Sequence, residues 1–157
     1  ESKLWGSYII PQSFMIYSIT SILTLIASGF LVDKFTSRKL IPFMNVPLLF
    51  GLMVLYFYDI SYSAYIFFGL MGVSNGLANV LGSSTWAEIY GVKHIGSIKA
   101  LTTALMVFAT AFGTALFGFL IDNGLSIEQI SLVSASYISI SLILLFIVRK
   151  ELNPTLI

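Results

Sequence analysis

The sequence contains no cysteine, which excludes disulfides and thiolate metal sites. Charge is almost as scarce: eight Lys or Arg and seven Asp or Glu make up 10% of 157 residues, where a soluble domain carries about 25%. So few charges cannot cover a water-facing surface. His94 is the only histidine and stands beside Lys93 in a connecting segment, without the further ligands a zinc site needs. The opening ESKLWGS has neither a methionine nor a basic stretch ahead of an apolar core, so it does not read as a signal peptide, and the chain reads as a fragment of something longer. Ten-residue stretches of alternating polarity, the mark of a membrane barrel, are missing too.

What is present is apolar. Hydrophobic residues make up 57% of the chain, and mean hydropathy is +0.95. Five long apolar runs lie at about residues 11–32, 40–58, 63–86, 98–121 and 130–148. At about 1.5 Å per residue, such runs cross a hydrocarbon core about 30 Å thick. In lipid every backbone polar group must be paired within the protein, which these runs achieve only as helices. The expected fold class is therefore an all-α membrane protein with five transmembrane helices. Pro11 suits a first helical turn. The second run, apolar all round with Pro42 and Pro47, reads as an outer, lipid-facing helix kinked at Pro47.

The cations give the orientation. Lys34, Arg38, Lys39, Lys93, Lys99, Arg149 and Lys150 fall on one side of five alternating spans, and only Lys3 falls on the other. Asp59, Asp122 and Glu128 lie in connections without any basic residue. Basic residues stay on the cytoplasmic side, so the expectation is a multi-pass protein of the inner (cytoplasmic) membrane with a cytoplasmic C-terminus.

The segment GFLVDKFTSRKL, residues 29–40, concentrates Asp33, Lys34, Arg38 and Lys39 between two uncharged runs. Gly29, Leu31, Asp33, Lys34, Ser37, Arg38 and Lys39 meet every fixed position of G-x-L-x-D-[RK]-x-x-[GS]-R-[RK], and so resemble the loop signature of the major facilitator superfamily. WAEIYGVKHIGSIKAL, from Trp86 to Leu101, looks like a second cytoplasmic loop of bacterial members. The resemblance implies a twelve-helix transporter in two six-helix halves built from inverted repeats. Residues 1–157 would then be most of the C-terminal half, about helices eight to twelve. Within the chain, Gly29-Phe30-Leu31-Val32-Asp33 recurs three spans later as Gly118-Phe119-Leu120-Ile121-Asp122, as inversion requires.

By the same resemblance, Gly29, Asp33, Lys34, Arg38 and Lys39 form a conformational latch. Asp33, with Arg38 or Lys34 as local partners, docks on a helix N-terminus of the opposite half, where unpaired amides and the helix dipole favour a carboxylate. The start of the eleventh helix, near Ser97 and Ile98, would receive the corresponding acid from that half.

The interiors of the spans hold no acid, base or histidine, Lys99 being counted with the cytoplasmic cations; proton relays and an intramembrane enzyme have no residues to run on here. An anion would find no cation within the spans. Uncharged polar residues instead form stripes: Tyr17, Ser21, Thr24 and Ser28 on the first span, Asn75, Asn79, Gly82 and Trp86 on the third, and Thr103, Thr110 and Thr114 on the fourth. Asn75 lies about 18 Å from the span ends, where an amide must face protein or a wet cavity. Tyr17, Ser21, Thr24, Asn75, Asn79 and Thr110 are thus candidates to line a pathway, with interhelical hydrogen bonding as the rival role for the asparagines. Gly69, Gly72 and Gly76, with Ala109, Gly113 and Gly118, read as smooth sliding surfaces of a rocking bundle.

The function expected from the resemblance is secondary transport of a small solute, an organic anion or other metabolite, by alternating access. The competing reading is a non-transporting membrane scaffold or receptor of the same fold. Expected partners are a small-molecule substrate, the lipid bilayer and the N-terminal half of the same transporter; no nucleic acid, cofactor or metal is expected.

Overall fold

The computed structural model describes Gly6 and residues 8–148, and every regular element among them is helical. Lys3, Arg149, Lys150 and the C-terminal tail, on which part of the orientation rests, lie outside the described residues. The elements are α1 (Ile9–Phe35), α2 (Ser37–Leu40), a 3-10 turn (Ile41–Phe43), α3 (Val46–Phe57), α4 (Tyr62–Tyr90), a 3-10 turn (Val92–His94), α5 (Ile95–Asp122) and α6 (Ile127–Val148). Five segments are long and apolar enough to cross a membrane, the second running through α2, the 3-10 turn and α3 as Ser37–Phe57.

That second segment departs from the kinked helix expected. Pro42 sits inside the 3-10 turn, and Pro47 is in the first turn of α3, where a missing amide costs nothing. Pro47 starts a helix here rather than bending one. The first-turn amide of Leu48 donates to Ser74 Oγ of α4 at 2.9 Å, so a neighbouring helix caps α3.

Packing is ordered as α1 against α4, α4 against α3, and α3 against α6. Contacts of Gln12 with Tyr65, Tyr17 with Gly72, and Thr24 with Gly76 advance together along both helices, so α1 and α4 run parallel. Their C-terminal ends therefore share one side of the bundle. Asp33–Lys39 and Lys93 come to that side together, and α5 starts from it.

The burial pattern suits a membrane solvent. Ser13 and Ser28 are fully buried while Phe30 is 74% exposed. Small residues fill the helix contacts, and large apolar ones face outward. Gly72 and Gly76 make the α1–α4 contact: a Cβ at Gly72 would run into Thr20 Oγ1 and the Tyr17 carbonyl, and one at Gly76 would stand 2.7 Å from the Ser21 carbonyl. These two glycines bring the α1 and α4 backbones into close contact. Gly113 and Gly118 on α5 meet nothing within 4 Å. Among the described residues, a conventional apolar cluster lies between α3 and α6, where Leu52, Ile138 and Leu142 are buried among Leu48, Ala135 and, from α4, Phe67.

The connections have local causes. Gly91 ends α4 with φ of 72°, and Gly124 turns α5 into α6 with φ of 85°. Ser126 and Gln129 cap α6 reciprocally, the Ser126 amide donating to Gln129 Oε1 at 2.9 Å and the Gln129 amide to Ser126 Oγ at 3.3 Å.

Candidate functional site

Two groups of polar residues stand out on the α1–α4 pair, one at its C-terminal end and one near its middle.

At the end, α1 stops at Phe35, and Thr36 turns the chain with φ of 70° and ψ of 136°, a strained conformation for a β-branched residue. This corner brings α2 back against α4. Ser37 is fully buried, its amide donates to Glu88 Oε1 at 3.0 Å, and its hydroxyl accepts from Thr85 Oγ1 at 3.0 Å. Arg38 Nη2 donates to the Glu88 carbonyl at 2.5 Å, and its Nε lies 3.5 Å from Glu88 Oε2. Both side chains are about a quarter exposed, so the pair is screened by salt less than a surface ion pair. Glu88 is the residue that sequence reasoning missed. It lies in the second quoted segment, one turn beyond Thr85, and its signal was an acid among the cations of one membrane face.

Asp33 does not meet Arg38 or Lys34 as expected. It sits on the last full turn of α1, exposed, without a hydrogen bond or ion pair among the described residues. Arg38 is already held by Glu88, and the Lys34 ammonium lies 5.4 Å from the centroid of the Phe35 ring. Lys39 is exposed on α2. Gly29, one turn before Asp33, has open space where a Cβ would be. The loop therefore presents an uncommitted carboxylate on a rigidly anchored corner.

Near the middle, Asn75 Nδ2 donates to Tyr17 Oη, with Ser21 Oγ at 3.4 Å as a longer partner. Asn79 Nδ2 donates to Asn75 Oδ1 at 3.0 Å and to the Asn75 carbonyl at 2.9 Å. The two asparagines and Tyr17 form one relay of amides and a phenol across α1 and α4. Thr24 packs beside Gly76 on the same face. Asn75 is half-buried and Asn79 exposed, so the interhelical role belongs mainly to Asn75 and an open face to Asn79. Thr110 is not brought to this cluster: it is exposed on α5, and its hydroxyl donates to the Met106 carbonyl at 2.8 Å.

A cavity of about 440 Å³ lies between α3 and α6 and is lined mostly by apolar residues such as Leu52, Phe57, Leu132 and Ile140. Two of its polar residues, Ser136 and Ser139, donate to carbonyls of their own helix, in contrast to the cross-helix hydrogen bonds of the α1–α4 seam.

The model of one protein family, described as Major Facilitator Superfamily, matches residues 9–156. No curated protein and no solved structure matches the chain.

Proposed function

Because the chain belongs to the major facilitator superfamily, a family of transporters, we propose that it is most of the C-terminal half of a secondary transporter of bacterial type. It moves a small solute across the cytoplasmic membrane by alternating access, two helix bundles rocking about a site near mid-membrane. Its C-terminus faces the cytoplasm, on the same side as the cationic corner.

The observation that carries this reading is the state of Asp33. Glu88 takes the nearest guanidinium, so the carboxylate is left for a partner outside these residues. A helix N-terminus in the opposite half supplies what a carboxylate seeks: unpaired amides and about half a positive charge. Docking there holds the cytoplasmic side closed, and release opens it. Gly29, one turn away with no atoms over its α-carbon, leaves room for that helix to approach. Lys34, Arg38 and Lys39 keep the corner at the headgroup level.

The solute path runs beside α4, with Tyr17, Ser21, Thr24, Asn75 and Asn79 contributing amides and hydroxyls. Counterflow by the full-length protein in liposomes tests the reading: saturable exchange of a small organic solute is expected. Liposomes that bind such solutes without exchanging them would point to a receptor of the same fold instead.

A further inference from the structure

The cytoplasmic half of the α4–α5 boundary contains a cleft of about 270 Å³ lined by Asn79, Ser83, Trp86, Lys99, Thr102 and Thr103. At about 30 Å³ per water it has room for on the order of nine waters, or a solute of a comparable number of heavy atoms. The cavities between α3 and α6 and between α3 and the start of α4 have no such mixture of polar groups. Lys99 is the point at which the structure corrects the sequence reading. It lies on the second turn of α5 and lines this cleft, so a cation is available to an anion inside a spanning helix.

The polar groups of the cleft are only partly committed. The Lys99 ammonium makes no ion pair or hydrogen bond among the described residues, and neither does the Thr103 hydroxyl. These two are four residues apart on one helix and so share a face. Opposite them, Asn79 spends its amide hydrogens on Asn75, while its Oδ1 accepts no hydrogen bond among the described residues. Thr102 Oγ1 and Ser83 Oγ each donate to a carbonyl of the preceding turn and keep their lone pairs as acceptors. The cleft thus sets a positive charge and a free hydroxyl donor against a row of acceptors, with the Trp86 ring as an apolar wall.

We propose that this cleft is a substrate subsite for a small hydroxycarboxylate. The carboxylate lies against Lys99 and Thr103, and the solute hydroxyl donates to Asn79 Oδ1. The proposal rests on the transporter reading above and deepens it by giving the substrate a charge and a donor group. Lys99, Thr103 and Asn79 are exposed, so the discrimination is a gain for the matching solute: its carboxylate adds a charge-assisted hydrogen bond that a neutral solute lacks, and its hydroxyl adds one to Asn79. Through Asn79 the subsite joins the Asn75–Tyr17 relay, so occupation of the cleft is felt on the α1–α4 seam.

Isothermal titration calorimetry of the purified full-length protein tests this, with glycolate, lactate and malate as probes and propane-1,2-diol as the uncharged match. Saturable binding of at least one hydroxycarboxylate, and none of the diol, is expected. Lys99→Gln should weaken that binding by at least about tenfold, as loss of a charged hydrogen-bond partner does. Lys99→Arg should restore most of it, and Lys93→Gln, on the neighbouring exposed turn, should leave it unchanged. Binding that survives Lys99→Gln, equal binding of the diol, or no binding by any of the three acids overturns the subsite. Counterflow separates the two claims. Exchange of a hydroxycarboxylate with an unaltered KM in Lys99→Gln removes the subsite and leaves the transporter. Binding that depends on Lys99 without any exchange does the reverse.

Discussion

At the scale of single residues, Glu88 and Asp33 divide the work of the corner. Glu88 anchors the chain and Asp33 is left to reach out. Glu88→Ala should cost about 2 kcal/mol, because it removes the charged hydrogen bond from the Ser37 amide and the ion pair with Arg38, whose guanidinium keeps only the backbone carbonyl of residue 88. A lowered melting temperature of the purified protein in detergent is the readout. Asp33→Asn should leave that temperature within error, since the described fold makes no use of its charge. Of these two roles only the motif positions were visible in the linear order. Arg38 and Glu88 are separated by 50 residues, and no local spacing announces a pair that exists only because α1 and α4 run parallel. The relay was half visible: the periodicities of Tyr17–Ser21 and Asn75–Asn79 assigned each stripe a face, but which stripe faced which required the packing.

At the scale of elements, the α1–α4 contact is the structural spine of the chain. It depends on Gly72 and Gly76, where added side chains would collide with the α1 backbone as well as with Thr20 and Thr24. Gly76→Leu should therefore destabilise or prevent folding, by at least about 3 kcal/mol, whereas Gly82→Leu, with open space around it, should be tolerated. Folded yield by fluorescence size-exclusion chromatography distinguishes the two. The glycine spacing was legible in the sequence, but its meaning was not. A close backbone approach that locks helices and one that lets them slide have the same one-dimensional pattern. The broken second span was misread for a related reason: Pro42 and Pro47 look alike in a hydropathy run, yet one builds a 3-10 turn and the other opens α3. Thr36 was invisible, since nothing in KFTSRK asks for a positive φ. Thr36→Gly should raise stability by about 1 kcal/mol by relieving that strain.

At the scale of the whole molecule, α5 is the element that remains open. None of its residues is buried, and its long-helix contacts are with α4 and α6 alone. The repeated GFLVD and GFLID set the correspondence between α1 and α5, and with it Thr20, Ser21 and Thr24 correspond to Ala109, Thr110 and Gly113. The first trio is the face that α1 packs on α4. Under the proposed inverted-repeat arrangement, the second trio would pack on a helix that precedes α1 in the complete protein, and Thr110 would stand apart from the relay for that reason. Gly113→Leu meets no atom within the described residues, yet it should reduce the folded yield of the full-length protein severalfold. A yield equal to that of the unaltered protein would break the correspondence.

The central claim, a latch-controlled path open alternately to the two sides, is tested most directly by labelling Ala78→Cys. This half-buried residue lines the α4–α5 cleft, residues 1–157 contain no cysteine, and any in the rest of the full-length protein are replaced first. Membrane-impermeant maleimide added to one or the other face of proteoliposomes reads the balance of the two open states. Reaction from both faces is expected, with Asp33→Asn raising the cytoplasmic rate and lowering the external one. Reaction from one face only, or a ratio that Asp33→Asn leaves unchanged, would contradict it.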